Sequence, residues 1–176
     1  GEWYEAVNWA AIHKLPVIFL VQNNKYAISE RTEKQMAVKS AADKACGLGL
    51  PGISVDGTDV FAVYEAVANA VAEARAGNGA TLIETVAYRI TPHSSDDDDR
   101  SYRSHEEVEA YKKCDPLQVV QSRLVADGIL EEAVIAEFEQ RAKEMVDEAV
   151  RYAESAPYPD ALEAAYPVYA EEVRHG

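Results

Sequence analysis

The sequence has no apolar run near the ~20 residues that a membrane-spanning helix requires. Its longest candidate, residues 15–21, is interrupted by Pro16 and suits a buried strand. Cysteine is scarce. Cys46 and Cys114 lie far apart and form no ligand pattern, which fits the free or buried thiols of a cytosolic chain. Basic charge is short too: 17 Lys plus Arg against 31 Asp plus Glu, a formal charge of −14. Nucleic acid and anionic membranes both need basic surface, so neither is an expected partner. No signal peptide is legible, and a cytoplasmic location is expected. The chain opens at Gly1, without an initiator Met and inside an amphipathic pattern. We therefore expect a fragment or a processed product.

What remains is ordinary globular material: 176 residues, 48% hydrophobic and 27% charged. A chain of this size buries about two-thirds of its unfolded surface. Residues 3–13 have the helical period, with apolar Trp3, Ala6, Val7, Ala10 and Ala11. The β-branched-rich run 17–21 predicts a strand covered on both faces, ending in the polar Asn23, Asn24 and Lys25. Residues 38–48 predict a short helix and 53–55 a strand. Asp56-Gly57-Thr58-Asp59 predicts a turn that caps a helix over 60–76, with Val60, Val63, Val67, Val71 and Ala74 on one face. Residues 80–87 predict a third strand. This beat is that of a parallel α/β sheet.

Residues 88–104 then form a long polar loop containing four consecutive aspartates. Loops this long are functional or disordered. Helices are predicted over 106–113, 116–126 and 131–155. The last carries a stripe of Ile135, Phe138, Ala142, Met145, Ala149 and Ala153. The tail, 156–176, is expected on the surface or against a neighbour. The division expected is a partial α/β domain over 1–104 and a helical C-terminal extension over 105–176, packed on the same domain.

Three segments invite a chemical reading, and each has a bland one beside it. Amide and backbone carbonyl oxygens in Gln22-Asn23-Asn24-Lys25-Tyr26, at the carboxyl end of a strand, suit a hard cation such as Mg²⁺. The same residues also make a plain turn. His93 is a candidate acid/base or diphosphate ligand, or simply a solvated side chain. The run Asp96 to Asp99 is a solvated face, an internally paired loop with Arg89, Arg100 or Arg103, or, more weakly, a calcium loop. The EF-hand glycine and terminal glutamate are missing.

In this order, residues 21–29 (VQNNKYAIS), 49–60 (GLPGISVDGTDV), Tyr88-Arg89, 91–103 (TPHSSDDDDRSYR) and Asp115-Pro116-Leu117 resemble a known family. It is the alpha subunit of the branched-chain 2-oxoacid (2-oxoisovalerate) dehydrogenases, which depend on thiamine diphosphate (ThDP). The resemblance runs from Gly1 to about Ala156. It implies a partial ThDP-binding α/β fold, with Mg²⁺ held by the Asn24 amide and the Tyr26 backbone carbonyl. Gln22 then lies near the diphosphate, where relatives often carry Arg or another polar residue, and Ile28 joins the cofactor-binding positions. His93 matches the active-site histidine, and Arg89, Asp97, Tyr102 and Arg103 match residues that order its loop. Ser94 matches a position phosphorylated in mammalian relatives.

The family motif's Gly-Asp-Gly half, with a third metal ligand, is expected before Gly1. The glutamate that activates the cofactor comes from the beta subunit. The implied activity is oxidative decarboxylation of small branched-chain 2-oxoacids, with acyl transfer to the lipoyl domain of the acyltransferase component. The implied assembly is two alpha and two beta subunits, and the chain alone is expected to be inactive. The competing expectations are a pyruvate or acetoin dehydrogenase alpha subunit, or a non-catalytic fragment acting in subunit assembly.

Overall fold

A computed structural model describes residues 1–165 of the chain. The chain forms two compact units, Gly1–Asp127 and Gly128–Gly176. The first begins with helix α1 (Glu2–Ile12), strand β1 (Ile18–Asn23), and a hairpin of β2 (Tyr26–Ala27) and β3 (Glu30–Arg31). Helix α2 (Asp43–Gly47), strand β4 (Gly52–Asp56), helix α3 (Val60–Arg75) and strand β5 (Thr81–Val86) follow. Helices α4 (His105–Lys112) and α5 (Pro116–Ala126) complete it. The second unit holds α6 (Glu132–Ser155) and a 3-10 turn, Ala161–Ala165. No helix among the described residues is long and apolar enough to cross a membrane. The tail beyond residue 165, including Pro167, lies outside the described residues.

The main sheet is parallel, in the order β1-β5-β4. The strand covered on both faces is therefore β5, where residues 81–85 are all buried. Among the described residues β1 pairs with β5 alone, and Leu20 is 57% exposed, so the two covered faces expected for it are not both seen here. Alternate residues of β5 feed two cores. Leu82 packs with Val7, Ala10, Ala42, Ala45 and Leu50, and Ile83 packs with Ala66 and Ala70 of α3.

Helix α3 starts where Asp59 accepts from the Phe61 and Ala62 amides at 2.9 and 3.2 Å. Its fully buried residues are Ala66, Ala70 and Ala74; of the expected stripe Ala74 is buried and Val67 packs against the core, while Val60 is 47% exposed. Alanines at a spacing of four let the helix backbone approach the sheet closely, with the valines on the flanks. The helix expected over 38–48 shrinks to Asp43–Gly47, and just before it Ser40 and the Ala41 amide bond to Glu84 of β5. Gly52 permits this approach, since a Cβ there would collide with the Ala42 carbonyl oxygen. In the second unit, Phe138 and Met145 of the α6 stripe are 57% and 61% exposed.

The candidate cofactor site

Parallel register brings Asn23, Val86 and Asp56 level at the carboxyl end of the sheet. That edge is where open α/β sheets hold ligands. The chain leaves β1 through a turn fixed at every residue. The Asn23 amide nitrogen donates to Glu84 Oε1 at 2.8 Å. Asn23 Oδ1 accepts from the Lys25 amide at 3.1 Å and the Thr32 hydroxyl at 3.2 Å. The Ala87 and Arg89 amides donate to the Asn23 and Asn24 carbonyls at 2.8 and 3.2 Å. Lys25 takes a φ of +72°, in the left-handed region. The turn expected here is present, and the hairpin that follows it was not expected.

This geometry presents two oxygens suited to a hard cation. Asn24 Oδ1 accepts one bond, from the Tyr26 amide at 3.1 Å, and an amide oxygen has a second lone pair. The Tyr26 carbonyl is directed by the hairpin ladder. The Thr32 amide donates to the Lys25 carbonyl at 3.0 Å, and Tyr26 pairs with Arg31. Antiparallel pairs alternate, so Tyr26–Arg31 is the pair that exchanges no bonds and the Tyr26 carbonyl faces away from β3. Among the described residues no three His, Cys, Asp or Glu side chains converge. A cation here is thus a matter of amide and carbonyl oxygens, the donor set that Mg²⁺ accepts. Gln22, Asn24 and Tyr26 line a shallow cleft of about 190 Å³. A larger cleft, about 480 Å³, opens over the ends of β4 and β5 and includes Lys25 but neither Asn24 nor His93.

Tyr26 is 5% exposed and sits in a cage of charge. The guanidinium carbons of Arg31, Arg89 and Arg103 lie 5.3, 5.7 and 5.7 Å from its ring centre. Its hydroxyl donates to Glu107 Oε1 at 2.8 Å, Tyr88 donates to the same oxygen at 3.1 Å, and Arg31 pairs with the other. Burial, and then the Glu107 carboxylate, push the Tyr26 phenol well above its ordinary range. Burial also opposes the charge of Glu107, but its hydrogen bonds from Tyr26, Arg31 and Tyr88 prevail and hold its carboxyl below the usual range.

The loop 88–104 closes onto this cage. Arg89 donates to the Ile28 carbonyl at 2.6 Å and to the Tyr102 hydroxyl at 2.9 Å. Ile28 has a φ of +55°, a strained conformation for a β-branched residue, and its side chain is 58% exposed. Tyr102 donates to Asp97 Oδ2 at 2.5 Å, and the His93 amide donates to the same oxygen at 2.8 Å. These two bonds, Tyr102 first, keep the Asp97 carboxyl below its ordinary range. Arg103, 4% exposed, pairs with Asp99 at 2.6 Å and donates to the Ile90 and Arg89 carbonyls. Arg89, Asp97, Tyr102 and Arg103 are thus one network. The aspartate run divides: Asp97 and Asp99 turn inward, while Asp96 and Asp98 are exposed. His93 is tethered by its backbone with its side chain exposed, and Ser94 beside it is exposed as well.

Sequence reasoning missed Glu84 and Glu107. Glu84 had a signal: it is the lone ionisable residue in an otherwise uncharged, β-branched-rich strand. Glu107 stands three residues after Ser104, a capping-box spacing, and Ser104 does accept from its amide at 3.1 Å.

Known proteins can be set beside this geometry. A family model described as the dehydrogenase E1 component matches residues 1–162. The chain is 49% identical over 171 residues to the 2-oxoisovalerate dehydrogenase subunit alpha of Bacillus subtilis, covering 97% of this chain and 52% of that protein. It is 43% identical over 171 residues to the 3-methyl-2-oxobutanoate dehydrogenase subunit alpha of Mycobacterium tuberculosis, covering 97% and 47%. It is 42% identical over 156 residues to the pyruvate dehydrogenase E1 component subunit alpha of Staphylococcus epidermidis, covering 88% and 42%. The chain spans about half the length of these relatives. With an α/β core, a structured turn at the strand end and a family match over nearly its whole length, the chain belongs to the dehydrogenase E1 component family.

Proposed function

We propose that this chain acts within the alpha subunit of a ThDP- and Mg²⁺-dependent 2-oxoacid dehydrogenase. The reaction is oxidative decarboxylation of branched-chain 2-oxoacids, with the acyl group passed to the lipoyl domain of the acyltransferase component. The observation that carries the reading is the meeting of two segments. The Asn24–Tyr26 turn and the His93 loop are joined where Arg89 grips both the Ile28 carbonyl and Tyr102. The relatives named as branched-chain enzymes match over more of the chain than those named for pyruvate, which supports the substrate class.

In this reading Asn24 Oδ1 and the Tyr26 carbonyl hold Mg²⁺, and Gln22 and Ile28 flank the cofactor. ThDP supplies, when bound, the electron sink that accepts the charge left as CO₂ departs. His93, held through its amide by Asp97, would supply charge stabilisation or proton transfer with its exposed imidazole. Arg89, Asp97, Tyr102 and Arg103 keep that loop in place. The relatives named as alpha subunits support a beta subunit as partner; the assembly proposed is two alpha and two beta subunits, in the cytoplasm.

The test uses the full-length subunit with its beta partner. We expect kcat/KM for 3-methyl-2-oxobutanoate to exceed that for pyruvate by at least about tenfold, the discrimination that an added methyl or two provides in an apolar pocket. A preference for pyruvate would overturn the branched-chain assignment, and no turnover of any 2-oxoacid would favour a non-catalytic role. His93→Ala should cut lipoyl reductive acylation by about a hundredfold. Unchanged turnover would remove His93 from the site.

A further inference from the structure

Glu84 is a fully buried charged residue, 1% exposed in the centre of β5. Register places it between Val21 of β1 and Ser54 of β4. Among the described residues no Lys, Arg or His forms an ion pair with it. Neutral donors surround it instead. The Asn23 amide and the Ala41 backbone amide donate at 2.8 and 2.9 Å, and the Ser40 hydroxyl donates to the other oxygen. Burial opposes the charge, yet the bonds from Ser40, Ala41, Asn23 and Ser54 outweigh it and bring the carboxyl down to about 2. A lone buried carboxylate is a costly thing to keep in a sheet that an apolar residue would fill.

What the charge does is legible in its contacts. It takes the nitrogen of the Asn23 amide, which turns the Asn23 oxygen toward the Lys25 amide and the Thr32 hydroxyl. Those two bonds close the turn around Asn24 and hold Lys25 in the left-handed region. With the turn closed, Asn24 Oδ1 receives the Tyr26 amide and keeps a lone pair outward. Without Glu84, the Asn23 nitrogen loses its acceptor, and the orientation rests on the Lys25 and Thr32 donors alone.

We propose that Glu84 is a positioning residue that sets the cation-binding geometry of Asn24 and Tyr26 by acting through Asn23. The inference rests on the reading of Asn24 and Tyr26 as ligands given above. Glu84 bonds Asn23, Ser40 and Ala41 rather than Asn24 or Tyr26; it aims the amide that shapes the turn.

The experiment is a Mn²⁺ titration of the full-length subunit with its beta partner and ThDP, read by loss of the free-ion electron paramagnetic resonance signal. Glu84→Gln keeps the shape but turns an amide donor toward donors. It should raise the Mn²⁺ Kd by about tenfold, the scale of outer-shell changes at metal sites, with the far-ultraviolet circular dichroism unchanged. Asn23→Ala breaks the same link from its other end and leaves the Ser40 and Ala41 bonds to Glu84 in place. It should weaken Mn²⁺ equally, and it carries the test if Glu84→Gln does not fold. Because the two residues act in series, the double variant should bind no more weakly than either single one. A wild-type Kd in either single variant, or two effects that simply add, overturns the proposal. Asn24→Ala reports on the ligand assignment itself and should abolish tight Mn²⁺ binding. Wild-type binding in that variant overturns the metal reading, and the positioning role falls with it.

Discussion

The Asn23–Tyr26 turn and the 88–104 loop meet at the same end of the sheet, but different forces hold them there. The turn is fixed by backbone amides and one buried carboxylate with neutral donors. The loop is fixed by arginines pairing with aspartates and capping carbonyls. Neutral hydrogen bonds are short-ranged and little affected by salt, whereas partly exposed ion pairs are screened. A turn built the first way has its hydrogen bonds in place without a ligand. A loop built the second way can open at modest cost, as loops over a site often do.

That contrast can be broken most strongly at Glu84. Glu84→Ala leaves two or three buried donors without an acceptor, and should cost about 4 kcal/mol in chemical denaturation of the full-length protein. A loss below about 1 kcal/mol, the worth of an ordinary surface change, would mean the turn does not depend on it. Acid should act on the same group more gently, since protonation keeps its shape. The folded carboxyl sits at about 2, below its ordinary 4.5. Its contribution is therefore complete above about pH 4.5 and drains away as pH falls toward about 2. Amide exchange at residues 23–26 and 40–42 should quicken across that window, and a Glu84→Gln variant should lose the transition.

Arg103→Met sharpens the other side of the comparison. It removes a buried guanidinium from Asp99 and from two carbonyls, and should cost about 2 kcal/mol, less than a fully buried pair because Asp99 still reaches water. Exchange should quicken over residues 89–103 while the 23–26 turn stays protected. Arg100→Ala is the control with the smallest effect. Its pair with Asp98 is exposed, and the denaturation midpoint should not move.

Much of the fold could be read from the sequence because hydrophobic period is a local property. The α5 boundaries, Pro116–Ala126, follow from Asp115 as cap and proline in the first turn. The Asp59 cap of α3 follows in the same way. The burial of individual faces was less legible. Nothing local tells β5 that it lies between two strands, or tells α3 that Ala66 and Ala70 are more deeply buried than its valines. The site divides along the same line. Asn24, Tyr26, His93 and the Arg89, Asp97, Tyr102 and Arg103 set were found through segment patterns that resemble a family. Glu84 and Glu107 stand 61 and 81 residues from the side chains they hold, and no pattern of that length exists to be seen.

By itself, then, the sequence determined the α/β alternation, the position of the strand-end amides and the loop that carries His93. It could do so because spacing, capping and turn chemistry act over a few residues. Only the tertiary structure decided which strand is central, which aspartates turn inward, and that a carboxylate in the middle of the sheet holds the amide beside the candidate ligand. Those outcomes depend on which segments pack together, and burial is a property of the packed whole rather than of any stretch of chain.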